Sequence, residues 1–232
     1  MDRQSTFGQI KEIGIVPAIR PSTAGQALHA AEAICKGGVP IVEISMAMPD
    51  ALLAIRAVKQ AFEQHILLGA GSVLDAEGVN LAHAAGAQFI VTSGFSADAV
   101  QAAHRLNMPI LVGALTPTEV QAAAATEPEA VKLFPCFAVG GPRYVRSLRS
   151  QYPQTELVAS GGVGLENCAD YLRAGACAIG VGGEIGDSES MAAGDHRLFT
   201  ERARRFRKAV VEARSTWRGA RPTGIHTPVA LQ

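Results

Sequence analysis

The chain has 232 residues, a formal net charge of +0 and a pI of about 7.0. This balance argues against a basic surface for nucleic acid and against attraction to an acidic membrane. Hydrophobic residues make up 48% of the chain but aromatic residues only 5%, so the core must consist mainly of Ala, Val, Ile, Leu and Gly. Such a core suits strands and helices that pack closely, and the length fits a single barrel domain.

The cysteines and the N-terminal residues indicate a cytoplasmic protein. No two cysteines stand in a CxxC spacing, so they are predicted to be free thiols rather than zinc ligands or a redox pair: Cys35, Cys136, Cys168 and Cys177. The first residues lack the apolar core of a secretory signal. The uncharged stretch 78–97 contains polar side chains and glycines, which predicts a helix end and a buried strand rather than a membrane span.

Short apolar runs recur along the chain, and each follows a helical pattern that ends in Gly or Asn. Gly86 before Phe89 and Asn107 before Ile110 are examples, and such residues end helices in the left-handed conformation. Nearly continuous apolar runs are typical of parallel strands that are buried on both faces. Eight strands are predicted: Ile15–Arg20, Ile41–Ser45, Leu67–Ala70, Phe89–Thr92, Ile110–Ala114, Ala130–Phe134, Leu157–Ala159 and Ala178–Val181.

Helical patterns alternate with these strands. They include a short opening helix near Ser5–Glu12, an amphipathic helix at Asp50–Phe62 and a last helix at Asp195–Arg214. Eight strand–helix units with right-handed crossovers predict a single (β/α)₈ TIM barrel over residues 1–214, with the opening helix covering its floor. An open doubly wound sheet is the alternative, although no GxGxxG follows the first strand. Residues 215–232 are rich in Arg, Thr, Gly and Pro and are predicted to form a disordered tail.

One of the five lysines lies inside a predicted strand, whereas the others belong to predicted helices or their ends. Side chains alternate along a strand, so Lys132 in Ala130–Pro135 points into the barrel together with Phe134. A buried ammonium is costly unless it is paired, and a neutral amine is a nucleophile toward a carbonyl. Lys132 is therefore predicted to form a Schiff base, with a structural ion pair as the alternative.

Two further charged residues lie on predicted strands. Glu43 faces inward by the alternation of Ile41–Ser45, and it could pair with Lys132 or move protons beside it. Arg20 ends the first strand, where it either meets a substrate carboxylate or phosphate or lies on the surface.

The loops after the strands carry serines and glycines that let a substrate approach the backbone, although each could be only a tight turn. Barrels often bind phosphate on the loops after strands seven and eight. The residues predicted to contact substrate on these loops are Ser72, then Ser93 and Gly94, then Gly161 and Gly162, and finally Gly182 and Gly183. The histidines fall on helices, in loops or in the tail, so no metal site is predicted.

These residues stand in six ordered motifs, and the chain resembles the 2-keto-3-deoxy-6-phosphogluconate (KDPG) and 4-hydroxy-2-oxoglutarate (KHG) aldolases, with their 2-keto-3-deoxy-6-phosphogalactonate relatives. The resemblance runs from about Ile13 to Ala213. It rests on Gly14-Ile-Val-Pro-Ala-Ile-Arg20, Gly38-Val-Pro-Ile-Val-Glu-Ile44, Gly69-Ala-Gly-Ser-Val-Leu74, Val131-Lys-Leu-Phe-Pro135, Ser160-Gly-Gly-Val163 and Gly180-Val-Gly-Gly183.

The resemblance implies a lyase that needs no cofactor and forms homotrimers. It implies that Lys132 is the Schiff-base lysine, that Glu43 shuttles protons, that Arg20 and Ser72 contact the pyruvate or hydroxyl end, and that Gly161 and Gly162 contact phosphate. The expected reaction cleaves KDPG to pyruvate and glyceraldehyde 3-phosphate. Ala47 and Gly183 stand where the family often has polar residues, so an unphosphorylated or shorter keto acid, such as KHG, is the first alternative. A non-catalytic barrel that binds a phosphorylated metabolite is the second.

Overall fold

The computed structural model describes residues 2–217 and shows eight parallel strands in a closed barrel. The predicted (β/α)₈ barrel is confirmed, and the open sheet is wrong because the first and last strands pair with each other. The strands follow chain order around the barrel: β1 Ile15–Ile19, β2 Ile41–Ser45, β3 Leu67–Val73, β4 Phe89–Thr92, β5 Ile110–Ala114, β6 Ala130–Leu133, β7 Leu157–Ser160 and β8 Ala178–Val181.

Helices connect the strands and cover the outside of the barrel. Their bounds are α1 Arg3–Ile13, α2 Ala24–Lys36, α3 Ala51–Phe62, α4 Ala76–Ala85, α5 Ala97–Arg105, α6 Pro117–Ala124, α7 Pro142–Gln151, α8 Cys168–Arg173, α9 Gly183–Gly186, α10 Ser188–Ala193 and α11 His196–Trp217. A short 3₁₀ turn at Cys136–Val139 follows β6. Helix α11 extends three residues beyond the predicted end at Arg214, and the rest of the predicted tail lies outside the described residues.

Local sequence signals fix where several helices begin and end. Thr116 and Glu119 form a reciprocal capping box at the start of α6, and Asp75 accepts a hydrogen bond from the backbone of Gly78 at the start of α4. Such caps satisfy backbone N–H groups that have no partner within the helix. Helix α4 ends at Gly86, whose φ of 107° lies in the left-handed region. These signals determine the residue at which each of these helices begins or ends, and therefore where the next strand can begin.

Helix α1 closes the N-terminal end of the barrel, as predicted for the opening helix. Ile10 on α1 is fully buried, and Arg3 forms a salt bridge with Glu129, with Nη2 2.6 Å from Oε1. The other Glu129 oxygen accepts a hydrogen bond of 2.9 Å from the backbone N–H of Ile110, the first residue of β5. The buried Glu129 carboxylate therefore ties α1 to the bottom of the sheet, and the open end of the barrel lies opposite.

The interior of the barrel is filled by side chains that lie against glycines on neighbouring strands. A Cβ at Gly69 on β3 would lie 2.2 Å from the ring of Phe89 on β4. Phe89 is fully buried, so it fills the lower layer of the barrel. Gly71 lies two residues further along β3 and on the same face, which brings it into the layer above. The space for chemistry therefore begins above Phe89, at the C-terminal ends of the strands.

Candidate active site

A cavity of about 400 Å³ opens at the C-terminal ends of the strands, which is where barrels carry their active sites. Ten of the eleven residues that the sequence predicts for the site line this cavity: Arg20, Glu43, Ser72, Ser93, Lys132, Phe134, Gly161, Gly162, Gly182 and Gly183. They come from seven strands or the loops that follow them, and closure of the barrel brings them together. Gly94 is the one predicted residue that the structure does not bring to the cavity.

Lys132 lies on β6 between Gly113 of β5 and Val158 of β7. Its side chain points into the cavity and the residue is only 7% exposed. Nζ lies 5.4 Å from the centroid of the Phe134 ring. Among the described residues, no carboxylate oxygen lies within 4.0 Å of Nζ. The ion pair that the sequence left open is therefore not formed, and the amine stands free to meet a substrate.

Glu43 lies on β2 and reaches toward the same cavity with 5% of its surface exposed. Its carboxylate lies over Gly71, since a Cβ at that glycine would be 1.9 Å from Oε1. The glycine therefore makes the room that the carboxylate occupies. No described cation lies within 4.0 Å of this carboxylate, so Glu43 is a buried acid that faces the cavity and can accept or donate a proton there.

Hydroxyl groups line the wall formed by β3 and β4. Ser93 Oγ donates a hydrogen bond of 2.9 Å to Ser72 Oγ, which holds the two hydroxyls together at the strand ends. Thr92 Oγ1 donates to the carbonyl of Gly94 at 2.7 Å and accepts from the N–H of Gly113 at 2.8 Å. These bonds hold the turn after β4 against β5. Gly94 is part of this turn, and of the two predicted residues here only Ser93 lines the cavity.

Arg20 follows the last residue of β1 and is exposed at the cavity mouth. Its Nη1 lies 3.9 Å from the position that a Cβ on Gly182 would take. The guanidinium therefore extends over the loop that follows β8, and β8 pairs directly with β1. Arg20 and Lys132 are the two cationic side chains among the residues that line the cavity.

The loop after β7 is held in shape by one side chain. Asn167 accepts a hydrogen bond of 2.9 Å from the N–H of Gly164 and donates one of 2.9 Å to the carbonyl of Gly162. Gly161 and Gly162 have φ values of 82° and 71°, a region that favours glycine. The loop thus keeps its backbone close to the cavity, where a bulkier residue would be strained.

Four polar residues of the cavity wall were not among the predicted site residues: Ser45, Ser160, Glu166 and Glu184. The alternation of β2 already places Ser45 inward, and Ser160 ends β7, so both were accessible to strand periodicity. Glu166 and Glu184 belong to the segments after β7 and β8. Their one signal in the sequence is that each follows a glycine-rich strand end by a few residues.

The Cys136 thiol, which follows β6, is buried and does not line the cavity. Burial raises the pKa of Cys136 to about 11, so the side chain stays a neutral thiol at physiological pH, and it donates a hydrogen bond to the carbonyl of Leu133. Within residues 2–217, no three His, Cys, Asp or Glu side chains are grouped to bind a metal ion. No helix in that part of the chain is long and apolar enough to cross a membrane.

The chain is similar to named aldolases over most of its length. The 2-dehydro-3-deoxy-phosphogluconate aldolase of Haemophilus influenzae is 37% identical over 172 residues, which are 73% of this chain and 79% of that protein. The 2-dehydro-3-deoxy-6-phosphogalactonate aldolase of Escherichia coli is 31% identical over 175 residues, which are 75% of this chain and 85% of that protein.

Solved structures share the fold. A designed cube-shaped protein cage, made by fusing symmetric oligomeric domains, matches with a TM-score of 0.81 and 29% identity over 89% of this chain and 75% of its own. The KDPG aldolase of Legionella pneumophila, with pyruvate captured as a covalent carbinolamine, matches with a TM-score of 0.78 and 26% identity over 82% of this chain and 92% of its own. The family model for KDPG and KHG aldolases covers residues 8–201, and this chain belongs to that family.

Proposed function

We propose that this protein is a class I aldolase that cleaves a 2-keto-3-deoxy sugar acid to pyruvate and an aldehyde through a Schiff base on Lys132. The observation that carries the proposal is a lysine on β6 that is 7% exposed, lines the barrel cavity and has no carboxylate partner among the described residues. The covalent pyruvate carbinolamine in the related Legionella enzyme supports the same chemistry.

The reaction begins when the neutral Lys132 amine attacks the C2 ketone of the substrate. The carbinolamine loses water to become an iminium, and Glu43 moves the protons that this step requires. Glu43 then takes the proton of the C4 hydroxyl while the iminium accepts the electron pair of the C3–C4 bond, so the distal fragment leaves as an aldehyde and an enamine remains. Glu43 returns a proton to C3, and water hydrolyses the second iminium to release pyruvate and the free lysine.

The remaining lining residues would bind and orient the substrate. Arg20 would pair with a carboxylate, while the Ser72 and Ser93 hydroxyls would donate hydrogen bonds at the pyruvate end. Phe134 packs beside the amine and would restrict water around the iminium. The glycines after β7 and β8 would face the distal end of the substrate: Gly161, Gly162, Gly182 and Gly183. KDPG is the reference substrate for assay because the Haemophilus and Legionella relatives are named as KDPG aldolases.

Borohydride trapping tests this proposal. Incubation with pyruvate and borohydride is expected to reduce the iminium and to leave a pyruvate-derived adduct on Lys132, which peptide mass spectrometry would locate. Lys132→Ala is expected to lose both the adduct and the release of pyruvate, whereas Lys36→Ala on the exposed end of α2 is the matched control. An unmodified Lys132, or full activity in Lys132→Ala, would contradict the proposal. Metabolite binding without turnover would favour the non-catalytic barrel.

We also infer that the protein assembles as a homotrimer in the cytoplasm. Similarity to a cage built from symmetric oligomeric domains supports an oligomer. Several apolar side chains stay exposed on this single chain, including Leu74 at 73% and Phe95 at 41% on the neighbouring loops after β3 and β4, and exposed apolar side chains that lie together favour an interface. Sedimentation velocity is expected to give three times the chain mass, and a monomer at micromolar concentration would contradict this inference.

A further inference from the structure

The inner face of β2 carries a hydroxyl that the proposed mechanism does not use. Ser45 is the last residue of β2, lines the cavity and is only 4% exposed. Its Oγ accepts a hydrogen bond of 3.4 Å from the backbone N–H of Ala47. Among the described residues, the Ser45 hydroxyl donates to no acceptor. The proton of this hydroxyl is therefore available to a group that enters the cavity.

The Ser45 side chain and the Glu43 carboxylate reach the same layer of the cavity. Ser45 pairs with Gly71 of β3, and the carboxylate of Glu43 occupies the space over that glycine, where a Cβ would be 1.9 Å from Oε1. Glu43 precedes Ser45 by two residues, so both side chains lie on the inner face of β2. A neutral hydrogen-bond donor thus accompanies the acid on one wall of the cavity.

This wall faces the amine. Strands β2 and β6 are four strands apart in the closed barrel of eight, so they lie on opposite sides of the cavity. Lys132 extends from β6, while Glu43 and Ser45 extend from β2, and all three line the same cavity. A ketone that is attacked by Nζ therefore lies between the two walls, within the space that the β2 side chains border.

Attack on the ketone places negative charge on the C2 oxygen, because the Nζ–C2 bond forms as an electron pair of the C=O bond moves to oxygen. An ionised Glu43 only accepts hydrogen bonds and cannot stabilise that charge, whereas a hydroxyl can donate to it. We propose that Ser45 is a further catalytic residue that donates a hydrogen bond to the C2 oxygen in this step, an inference that rests on the proposed aldolase function. Glu43 takes the proton that Nζ loses and passes it to the same oxygen, which completes the carbinolamine.

The test measures how fast pyruvate forms a covalent adduct on Lys132, since this step precedes any carbon–carbon chemistry. Protein and pyruvate are mixed, quenched with borohydride at timed intervals, and the reduced adduct is quantified by mass spectrometry. Ser45→Ala is expected to slow adduct formation at saturating pyruvate by about 10²-fold, the effect of losing one oxyanion donor. The half-saturating pyruvate concentration should change little, because the lost bond acts in the transition state.

Three further variants separate the hydroxyl from the shape of the side chain. Ser45→Thr keeps the hydroxyl and should retain most of the wild-type rate, whereas Ser45→Cys keeps the size, offers only a weak donor and should be slow. The cysteine variant also decides the question if Ser45→Ala does not fold, as judged by urea unfolding. Ser147→Ala on the exposed face of α7, outside the cavity wall, is the matched control.

The inference would be overturned by wild-type rates of adduct formation in Ser45→Ala and Ser45→Cys, or by a Ser45→Thr variant as slow as Ser45→Ala. A weaker affinity for pyruvate at an unchanged maximal rate would also overturn it, because Ser45 would then contribute to binding alone. If the wild-type protein itself leaves Lys132 unmodified, the proposed aldolase function fails. If the wild type and Ser45→Ala are trapped equally fast, the aldolase function stands and only the role of Ser45 fails.

Discussion

Gly71→Ala is the sharpest test of how the barrel positions its acid. Gly71 is buried on β3, and the Glu43 carboxylate occupies the space that a side chain would need. A Cβ at Gly71 would lie 1.9 Å from Oε1, 2.5 Å from Cδ and 2.9 Å from Cγ of Glu43. The carboxylate must retreat by about 1.5 Å to reach ordinary van der Waals contact. One added methyl group thus moves the acid without changing its chemistry.

The expected loss follows from that displacement. A misplacement of about 1 Å in a reacting group can reduce a rate about 10²-fold, so kcat of Gly71→Ala should fall by about two orders of magnitude. Overpacking of a tight interior also costs about 1–3 kcal/mol of stability. Pyruvate release coupled to lactate dehydrogenase measures kcat, and urea unfolding followed by circular dichroism measures the free energy of unfolding.

A second substitution separates the collision from a general loss of folding. In Gly71→Ala/Glu43→Ala the colliding carboxylate is absent, so the double variant should regain stability relative to Gly71→Ala while it remains inactive. Gly8→Ala is the control for the added methyl group, because a Cβ at Gly8 on α1 meets no atom within 4 Å. Wild-type kcat in Gly71→Ala, or a double variant no more stable than the single one, would refute the reasoning.

Three further predictions concern the acid, the barrel floor and the thiols. Glu43→Gln should lower kcat by about 10²–10⁴-fold with the fold intact, and NMR should show the same loss in the exchange of the pyruvate methyl protons with D₂O. Arg3→Met leaves the buried Glu129 carboxylate without its cation and should cost about 1–3 kcal/mol in urea unfolding, less than a fully buried pair because Arg3 is partly exposed; a loss below about 0.5 kcal/mol would contradict this role for α1. Burial raises the pKa of Cys136 to about 11 and of Cys177 to about 12, so the stability from their neutral thiols is complete below about pH 9 and is lost only as pH rises through those values. Native protein at pH 8 should therefore resist iodoacetamide at both cysteines, as read by peptide mass spectrometry, whereas unfolded protein should react.

The sequence predicts the strands well because parallel strands that are buried on both faces are short, apolar and nearly continuous. Four strands have the predicted bounds. The largest difference is β3, which continues through Gly71 to Val73. Glycine and serine have low strand propensity, so the prediction from the apolar pattern ends the strand at Ala70, three residues too early. Pairing with β2 and β4 on both sides holds those residues in the sheet despite that propensity.

Strand periodicity predicts which side chains face the cavity only for residues that lie within regular strands. Alternation predicts that Lys132 and Glu43 both point inward, because each lies within a regular strand, and closure of the barrel brings them to one cavity. Glu166 and Glu184 come from irregular segments, where the direction of a side chain depends on the local turn and no period reveals it. Gly94 likewise lies in an irregular turn outside the cavity wall, where its carbonyl accepts a hydrogen bond from Thr92.

The glycines of the barrel show what a single sequence cannot predict: which group packs against a glycine depends on how distant strands pair. A glycine in a strand indicates that something approaches its backbone closely, and the sequence offers a substrate as that partner. At Gly71 the partner is Glu43, which lies 28 residues earlier on another strand. At Gly113 it is the backbone of Ser93, with its carbonyl carbon 2.3 Å from the position of a Cβ. A single sequence indicates that some group lies close to the glycine but not which one, because the register of the closed sheet determines the neighbour. Once the register is known, Gly71 is seen to make room for the acid on the neighbouring strand, and this is why Gly71→Ala should disable the site without removing any reacting group.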